Sequence, residues 1–394
     1  MSGPTGTDDG CARGGDDARR GARGGTDAPV VVDCAGALMG GGSRFLGELD
    51  GYLAARGATT AEVRLVGRGR RIAPGWLVRR ERLGPHRRAV APNNVSFVTA
   101  RGERWVLLRN LLHFLTPEET ARIPGGLPGH VARTAVVARA AARRADVVVV
   151  PSSEMAQRVC DALPRLSERI IVRAHPLSVP AAVPAADREP HRLLCPVLFS
   201  RFKDMGQLLR LADAAADRLA ADSGVAVNIV VTATEREAAA EGLTETRRLR
   251  FVGRLSAAEL AEQQRRCRAL LYPTRLESFG YPLAEARLAG LPVVALDSDR
   301  NREVAGPVLV PYQREEAGAV AAAMHEAFAA TPGREATNPF DPDRYFRWLL
   351  DLPGLGGADE GPDADDGAHP GDGFAGPDRL AMTGQPTGAG KERT

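Results

Sequence analysis

Two glutamates raise the question of chemistry. Glu277 and Glu285 stand eight positions apart in "RLESFGYPLAEARLAGLPVVALDSD" (275–299), with Phe-Gly-Tyr-Pro between them. On one continuous helix they would sit about 80° apart in rotation and roughly 12 Å apart along the axis. Neither a salt-bridge ladder nor a metal site needs that arrangement. The strand-like run "CRALLYP" precedes them, and Pro282 suits the first turn of a helix, where a missing N–H costs nothing. Glu277 therefore falls in a loop and Glu285 one turn into a helix. The free amides around Gly280 and Tyr281 form a positive helix end able to hold an anion such as a diphosphate. Carboxylates flanking that anion can accept hydrogen bonds from sugar hydroxyls. The plainer reading makes Glu277 a solvated loop acid and Glu285 a first-turn charge that favours the helix dipole.

Further residues invite the same comparison. Lys203, in "LFSRFKDMGQLL" (198–209), is the only lysine between residues 28 and 354, in a chain with 50 arginines and two lysines. A compact ammonium on a flexible stem suits a single phosphate oxygen; a stray codon would explain it as well. In "MGGGSRFL" (39–46), Gly41 and Gly42 would let backbone amides approach a phosphate or sugar, with Arg44 beside them. A tight turn needs the same glycines. His113 in "RNLLHFL", accompanied by Asn110, is a candidate to face a cleft, against the plainer reading of a packed histidine. "DSD" (297–299) imitates a metal-binding acidic triplet, but a three-residue acidic match is frequent by chance, so it reads as a loop and no metal site is assigned. Residues 68–88 hold eight arginines, with Trp76 and Leu77 among them. That segment reads as a solvated basic face, or as a contact for an anionic membrane surface or anionic acceptor.

Short apolar runs alternate with helical patterns and would position these residues. "PVVVDCAG" (29–36), "EVRLVG" (62–67), "VSFVT", "RWVLLRN" (104–110), "DVVVVPSS" (146–153) and "RIIVRAHP" read as strands of a first series. After the Pro/Ala stretch "LSVPAAVPAADREPH" (177–191) a second series follows: "RLLCPVLFS", "VAVNIVVTA", "LRFVGR", "CRALLYP", "PVVALDS" and "GPVLVP". Apolar strands separated by helices imply parallel sheets with crossover helices. The expected architecture is α/β, with two Rossmann-like domains, at 28–176 and 192–335, joined by a linker at 177–191. A helix at 336–354 completes the body. Ligands in such sheets bind beyond the carboxyl ends of the strands, which makes the cleft between the domains the natural site.

Bulk properties bound the function. Residues 1–27 and 355–394 are rich in glycine and acids and poor in apolar residues, so both read as disordered tails. The chain carries +3; the first tail holds −1 and the last −5, leaving +9 on the body. That suits an anionic small ligand and falls short of a nucleic-acid protein. No stretch approaches 18 apolar residues and the N-terminus has no apolar targeting region, so the expected location is the cytoplasm. Five scattered cysteines with no CxxC spacing read as free buried thiols rather than a disulfide frame or zinc site.

The segment from "LRFVGRLSAAELAEQQRRCRALLYPT" through "ESFGYPLAEARLAGLPVVA" to "REVAG" (302–306) resembles the donor-binding region of family 4 retaining glycosyltransferases of the GT-B fold. The resemblance covers residues 192–330 well and the first half only loosely, through "GGGSRFL" and "ADVVVVPSS". It implies that Glu277 contacts the donor sugar and Glu285 the nucleotide ribose, with Gly280, Tyr281, Leu283 and Arg254 also in the donor site. Arg201 and Lys203 would bind the diphosphate. Gly41, Gly42 and Arg44 would form a diphosphate or acceptor loop, and His113 the cleft histidine. The C-terminal helix would cross back onto the first domain. The implied reaction moves a sugar from a nucleotide diphosphate sugar, a substrate rather than a cofactor, to a hydroxyl acceptor with retention and without metal. The expected acceptor is a small polar molecule of secondary metabolism, such as a phosphorylated aminocyclitol of an aminoglycoside-type pathway. Alternatives are a membrane-surface enzyme acting on a lipid-linked or polysaccharide acceptor, a metal-dependent transferase using Asp297 and Asp299, and a non-catalytic nucleotide-sugar-binding protein.

Overall fold

The computed structural model describes residues 28–123, 125–179, 188–200 and 202–352. The expected tails, the middle of the expected linker and Arg201 lie outside the described residues.

The first domain alternates strand and helix: β1 (Val30–Asp33), α1 (Gly40–Arg56), β2 (Val63–Val66), α2 (Pro74–Arg80), β3 (Arg88–Ala91), β4 (Glu103–Leu107), α3 (Pro117–Arg122), α4 (Gly129–Ala142), β5 (Val147–Val150), α5 (Ser153–Ala162) and β6 (Ile170–Val172). The second continues with β7 (Arg192–Cys195), α6 (Met205–Ser223), β8 (Asn228–Val231), α7 (Glu235–Ala240), β9 (Leu249–Phe251), α8 (Ala257–Arg266), β10 (Ala269–Tyr272), α9 (Tyr281–Ala289), β11 (Val293–Leu296), α10 (Asp299–Ala305), β12 (Leu309–Tyr312) and α11 (Ala317–Ala329), before a final helix, α12 (Pro342–Leu350).

All strand pairs in both sheets are parallel, in the orders β2-β1-β3-β4-β5-β6 and β12-β11-β10-β7-β8-β9. Two Rossmann-like domains result, as expected for the GT-B fold. The two-residue period of the strands explains why both faces are apolar. Val31, Ala89, Val106 and Val148 pack into one core cluster, while Val30, Val32, Val90 and Leu107 pack into the cluster on the other face. Helix starts are set by short polar side chains, as where Ser152 accepts from Met155 N and Ser256 forms a capping box with Glu259. Tyr345, Phe346, Leu349 and Leu350 of α12 join the cluster that holds α1, so the last helix packs on the first domain.

Three local readings need correction. "VSFVT" forms no strand; the Val95 and Ser96 carbonyls accept hydrogen bonds from the Arg80 guanidinium instead. The strand at that place is β3, whose "RAVA" was hidden in an arginine-rich stretch. The glycines at 40–42 are themselves the first turn of α1 and not a loop before it.

The arginine-rich segment 68–88 is not one solvated cationic face. Arg80 is 1 % exposed and donates to Asp33 Oδ2 at 2.5 Å. Asp33 is fully buried and also accepts from Trp76 Nε1 and Asn93 Nδ2. Arg87 and Arg88 donate to carbonyls at the end of α12, and Arg88 lies over the Trp105 ring. Arg68 pairs with Asp50. Exposed arginines remain at 70, 71, 79 and 82. Cys34, Cys195 and Cys267 are free and buried, and burial pushes the Cys34 thiol up to about 12.

Candidate functional site

A cavity of about 600 Å³ opens between the two sheets, and the loops that line it leave the carboxyl ends of strands. From the first domain come Gly36 to Gly42 after β1, Pro92 to Asn94 after β3, Arg109 to His113 after β4, and His175 after β6. From the second come Pro196, Leu198 and Lys203 after β7 and residues of the Tyr272–Pro282 segment after β10. The chain reverses its build direction between β1 and β3 and again between β7 and β10, so both switch points face this cavity.

Lys203 Nζ donates to Glu277 Oε2 at 2.8 Å. Burial alone would raise the Glu277 carboxyl, but the Lys203 charge, with Arg300 behind it, holds it below the usual glutamate range. Arg300 is 1 % exposed and donates to the carbonyls of Thr274 and Glu277, bracing the loop from beneath. Gly280 closes that loop with φ +91°, and a Cβ there would stand 3.0 Å from the Tyr272 hydroxyl oxygen. Only glycine fits both demands. α9 then begins at Tyr281 with no side-chain cap; Pro282 carries no N–H and Leu283 N donates to the Gly280 carbonyl at 2.9 Å, so within the first turn it is the Tyr281 amide that is left to a ligand.

Glu285 lies one turn further along α9. Burial raises its carboxyl, opposed by Arg44, whose Nη2 stands 3.2 Å from Oε1; Gln264 donates to Oε2. Arg44 also faces Glu48.

His113 lines the cavity and is buried. Asn110 Nδ2 donates to its Nε2 at 3.2 Å, which puts the proton of the neutral ring on Nδ1. Burial, then the Arg139 charge, pushes its pKa down to about 4, so the ring is neutral near pH 7.

Lys203, Glu277, Gly280, Tyr281, Gly41, Gly42 and His113 thus meet around one cavity. Glu285 and Arg44 are not among its lining residues and form a cross-domain pair. Leu283 is fully buried beneath Gly280, so its side chain is a core residue. Arg254 is exposed, donates to Glu237 at the start of α7 and does not line the cavity. Asp297 is bound by Arg302 and Gln313, and Asp299 begins α10; neither lines the cavity. Among the described residues no group of three His, Cys, Asp or Glu side chains is placed to hold a metal.

Sequence reasoning missed Arg109, His175 and Ser278. Ser278 Oγ donates to the Arg109 carbonyl at 2.6 Å, and Ser152 Oγ donates to the Ser278 carbonyl at 2.9 Å, tying the Glu277 loop to the first domain. Ser153 N donates to Glu303 Oε2, within "REVAG", at 2.8 Å. Strand-end position was the available signal for Arg109 and His175.

The fold defines a class: a two-domain α/β protein of the GT-B architecture. Residues 197–330 match the family described as "Glycosyl transferases group 1". Because that match falls on the domain holding Lys203, Glu277 and Glu285, the protein is a glycosyltransferase. It is similar in structure to Anabaena HepE in complex with UDP and glucose (14% identity, TM-score 0.54), covering 82% of this chain and 98% of that one. It is likewise similar to sucrose-phosphate synthase from Thermosynechococcus elongatus (14% identity, TM-score 0.54), over 83% of this chain and 100% of that one. WaaG, a glycosyltransferase involved in lipopolysaccharide biosynthesis, aligns over 82% of this chain and 96% of its own at 15% identity and TM-score 0.51. No curated protein sequence matches the chain. No helix among the described residues is long and apolar enough to cross a membrane.

Proposed function

We propose that this enzyme takes a sugar from a nucleotide diphosphate sugar and transfers it to a hydroxyl of a small polar acceptor, with retention at the anomeric carbon and without a metal. The observation that carries the reading is the Lys203–Glu277 pair beside the uncapped start of α9. Lys203 and the Tyr281 amide at the start of α9 would hold the diphosphate, where negative charge grows as the bond to the sugar breaks. Glu277, kept ionised by Lys203, would accept hydrogen bonds from sugar hydroxyls, and Glu285 from the ribose. His113, a neutral ring with its Nδ1 proton uncommitted, would donate to the sugar. Among the described residues no carboxylate other than Glu277 lines the cavity. Proton transfer from the acceptor hydroxyl to the departing phosphate oxygen on the same face suits that setting.

The first-domain wall supports a small polar acceptor: Asn93, Asn94, Asn110 and Thr134 line it. Secondary metabolism, a phosphorylated alcohol as acceptor and action in the cytoplasm belong to this proposal. A lipid-linked acceptor is the second reading, favoured by the exposed Val78 beside Arg79 and Arg82 near Trp76. The test is a thermal-shift panel of UDP, GDP, TDP and ADP sugars, followed by mass spectrometry of products and assignment of the new anomeric centre. Stabilisation by one nucleotide class and a retained configuration are expected. Stabilisation by none would overturn the reading.

A further inference from the structure

The first-domain wall of the cavity carries one formal charge, and nothing among the described residues neutralises it. Arg109 follows β4 and lines the cavity. Its backbone is fixed on both sides: its N–H donates to Asn94 Oδ1, and its carbonyl accepts from Ser278 Oγ. Its guanidinium lies 4.8 Å from the Phe45 ring centroid. Stacking occupies the flat face of the group and leaves its N–H edge free to donate. Burial disfavours its charge, and the ionisable groups beside it are the phenols of Tyr281 and Tyr345, not a carboxylate. The other cations near the site differ: Lys203 is paired with Glu277, and Arg44 with Glu285.

The surroundings of that edge show what it is for. A Cβ built on Gly41 would sit 3.8 Å from Arg109 Nη2 and 3.4 Å from the Tyr281 ring. Arg109 therefore stands where the first turn of α1 meets the first residue of α9. Neither helix start has a side-chain cap, and neither first turn carries an acid. His175 is 4 % exposed, lines the same cavity and stacks on Tyr281, and its Nδ1 has no hydrogen-bond partner. The Tyr281 hydroxyl is also without one. An uncompensated guanidinium, two helix starts without side-chain caps and the unpartnered, buried Nδ1 of His175 lie around one cavity, and that setting fits an oxyanion.

We propose that Arg109 binds the donor diphosphate from the acceptor-side domain and neutralises the charge that appears on it during transfer; this rests on the nucleotide-sugar reading above. The bond between the sugar C1 and the β-phosphate oxygen breaks, and its electron pair stays on that oxygen. The acceptor oxygen forms the new bond to C1, and its proton passes to the departing phosphate. Lys203 shares its charge with Glu277, so the second cation matters for balance. Arg109 comes from the opposite domain, and the leaving group is fully neutralised only when both domains hold it. The site belongs to the diphosphate and not to the acceptor because Arg109 lies against Gly41 and Tyr281, the two helix starts.

The test uses the full chain with Arg109→Gln, which keeps a planar donor without charge, and Arg109→Lys, which keeps charge. Calorimetry is run with the nucleoside diphosphate whose base stabilises the wild type, and with its monophosphate. Arg109→Gln should weaken the diphosphate by about tenfold or more and leave the monophosphate unchanged. Donor hydrolysis without acceptor and transfer to acceptor should fall together, by about 100-fold, with the acceptor KM unmoved. Arg109→Lys should retain most of the diphosphate affinity. Unchanged diphosphate affinity in Arg109→Gln would overturn the proposal while leaving the nucleotide-sugar reading intact. So would a raised acceptor KM with hydrolysis preserved, which would assign the anion to the acceptor, or an Arg109→Lys protein as impaired as Arg109→Gln, which would make the role structural. A wild type that binds no nucleoside diphosphate would overturn the nucleotide-sugar reading itself.

Discussion

The Arg44 guanidinium stands 3.2 Å from the Glu285 carboxylate, so the first helix of one domain is tied to the helix that follows the Glu277 loop in the other. A ribose that uses Glu285 must share or displace this contact. Burial raises the Glu285 carboxyl above its usual value and Arg44 only partly offsets that. The ionised form accepts hydrogen bonds, so donor affinity should be full above the raised pKa and fall as pH drops through it. Calorimetry with a nucleotide sugar, whose diphosphate diester does not titrate in that range, measures the step. Glu285→Gln should bind more weakly and without the step. A wild-type profile identical to that of Glu285→Gln would remove Glu285 from the donor site.

His113 makes a prediction about stability. Its folded pKa of about 4 lies below the free value of 6.5, so folding favours the neutral ring. The resulting stabilisation is fully present above 6.5 and is lost as pH falls from 6.5 to about 4. His175 is lowered for the same reason, by burial and then by Arg109, and adds to that loss. Urea midpoints across this window should fall less steeply for His113→Asn than for the wild type. Parallel curves would contradict the neutral, buried ring.

Within the arginine-rich segment, two neighbours should behave oppositely. Arg80→Ala leaves the fully buried Asp33 carboxylate without its cation and should cost about 3–5 kcal/mol. Arg79→Ala, at an exposed position, should stay within about 0.5 kcal/mol. Denaturant melts separate the two. Any salt-sensitive binding to anionic vesicles should follow Arg79 and Arg82 and be tested without touching Arg80.

Gly280→Ala should damage the site through the backbone. The left-handed φ and the Tyr272 hydroxyl 3.0 Å from the new methyl group would force the loop to shift, at a cost of about 1–3 kcal/mol. Donor affinity should fall with it. Normal affinity at normal stability would mean that the loop tolerates the methyl group and that its geometry does not hold the donor.

The parallel-sheet architecture was legible because β1, β5, β8, β10 and β11 announce themselves as apolar runs, buried on both faces by crossover helices. β3 was hidden by the flanking arginines, whose partners, Glu103 and the α12 carbonyls, are remote in sequence. Lys203 and Glu277 were legible for different reasons. A lone lysine stands out in a chain of arginines, and a carboxylate before Gly-Tyr-Pro marks a loop entering a helix. Arg109 was invisible by type, being one arginine among 50; it becomes distinctive only when its lack of a carboxylate is seen. Arg254 and Leu283 followed from resemblance alone, and local pairing and packing direct their side chains elsewhere.

The most direct test of the account is the rate at which nucleoside diphosphate is released from the stabilising nucleotide sugar, compared between wild type and Lys203→Ala. Loss of a charge-assisted contact should weaken donor binding by roughly 1.5–3 kcal/mol. Loss of the same charge from the leaving group should lower turnover at saturating donor by about 100-fold. Equal turnover and equal donor affinity in the two proteins would contradict the assignment of the Lys203–Glu277 pair as the centre of sugar transfer.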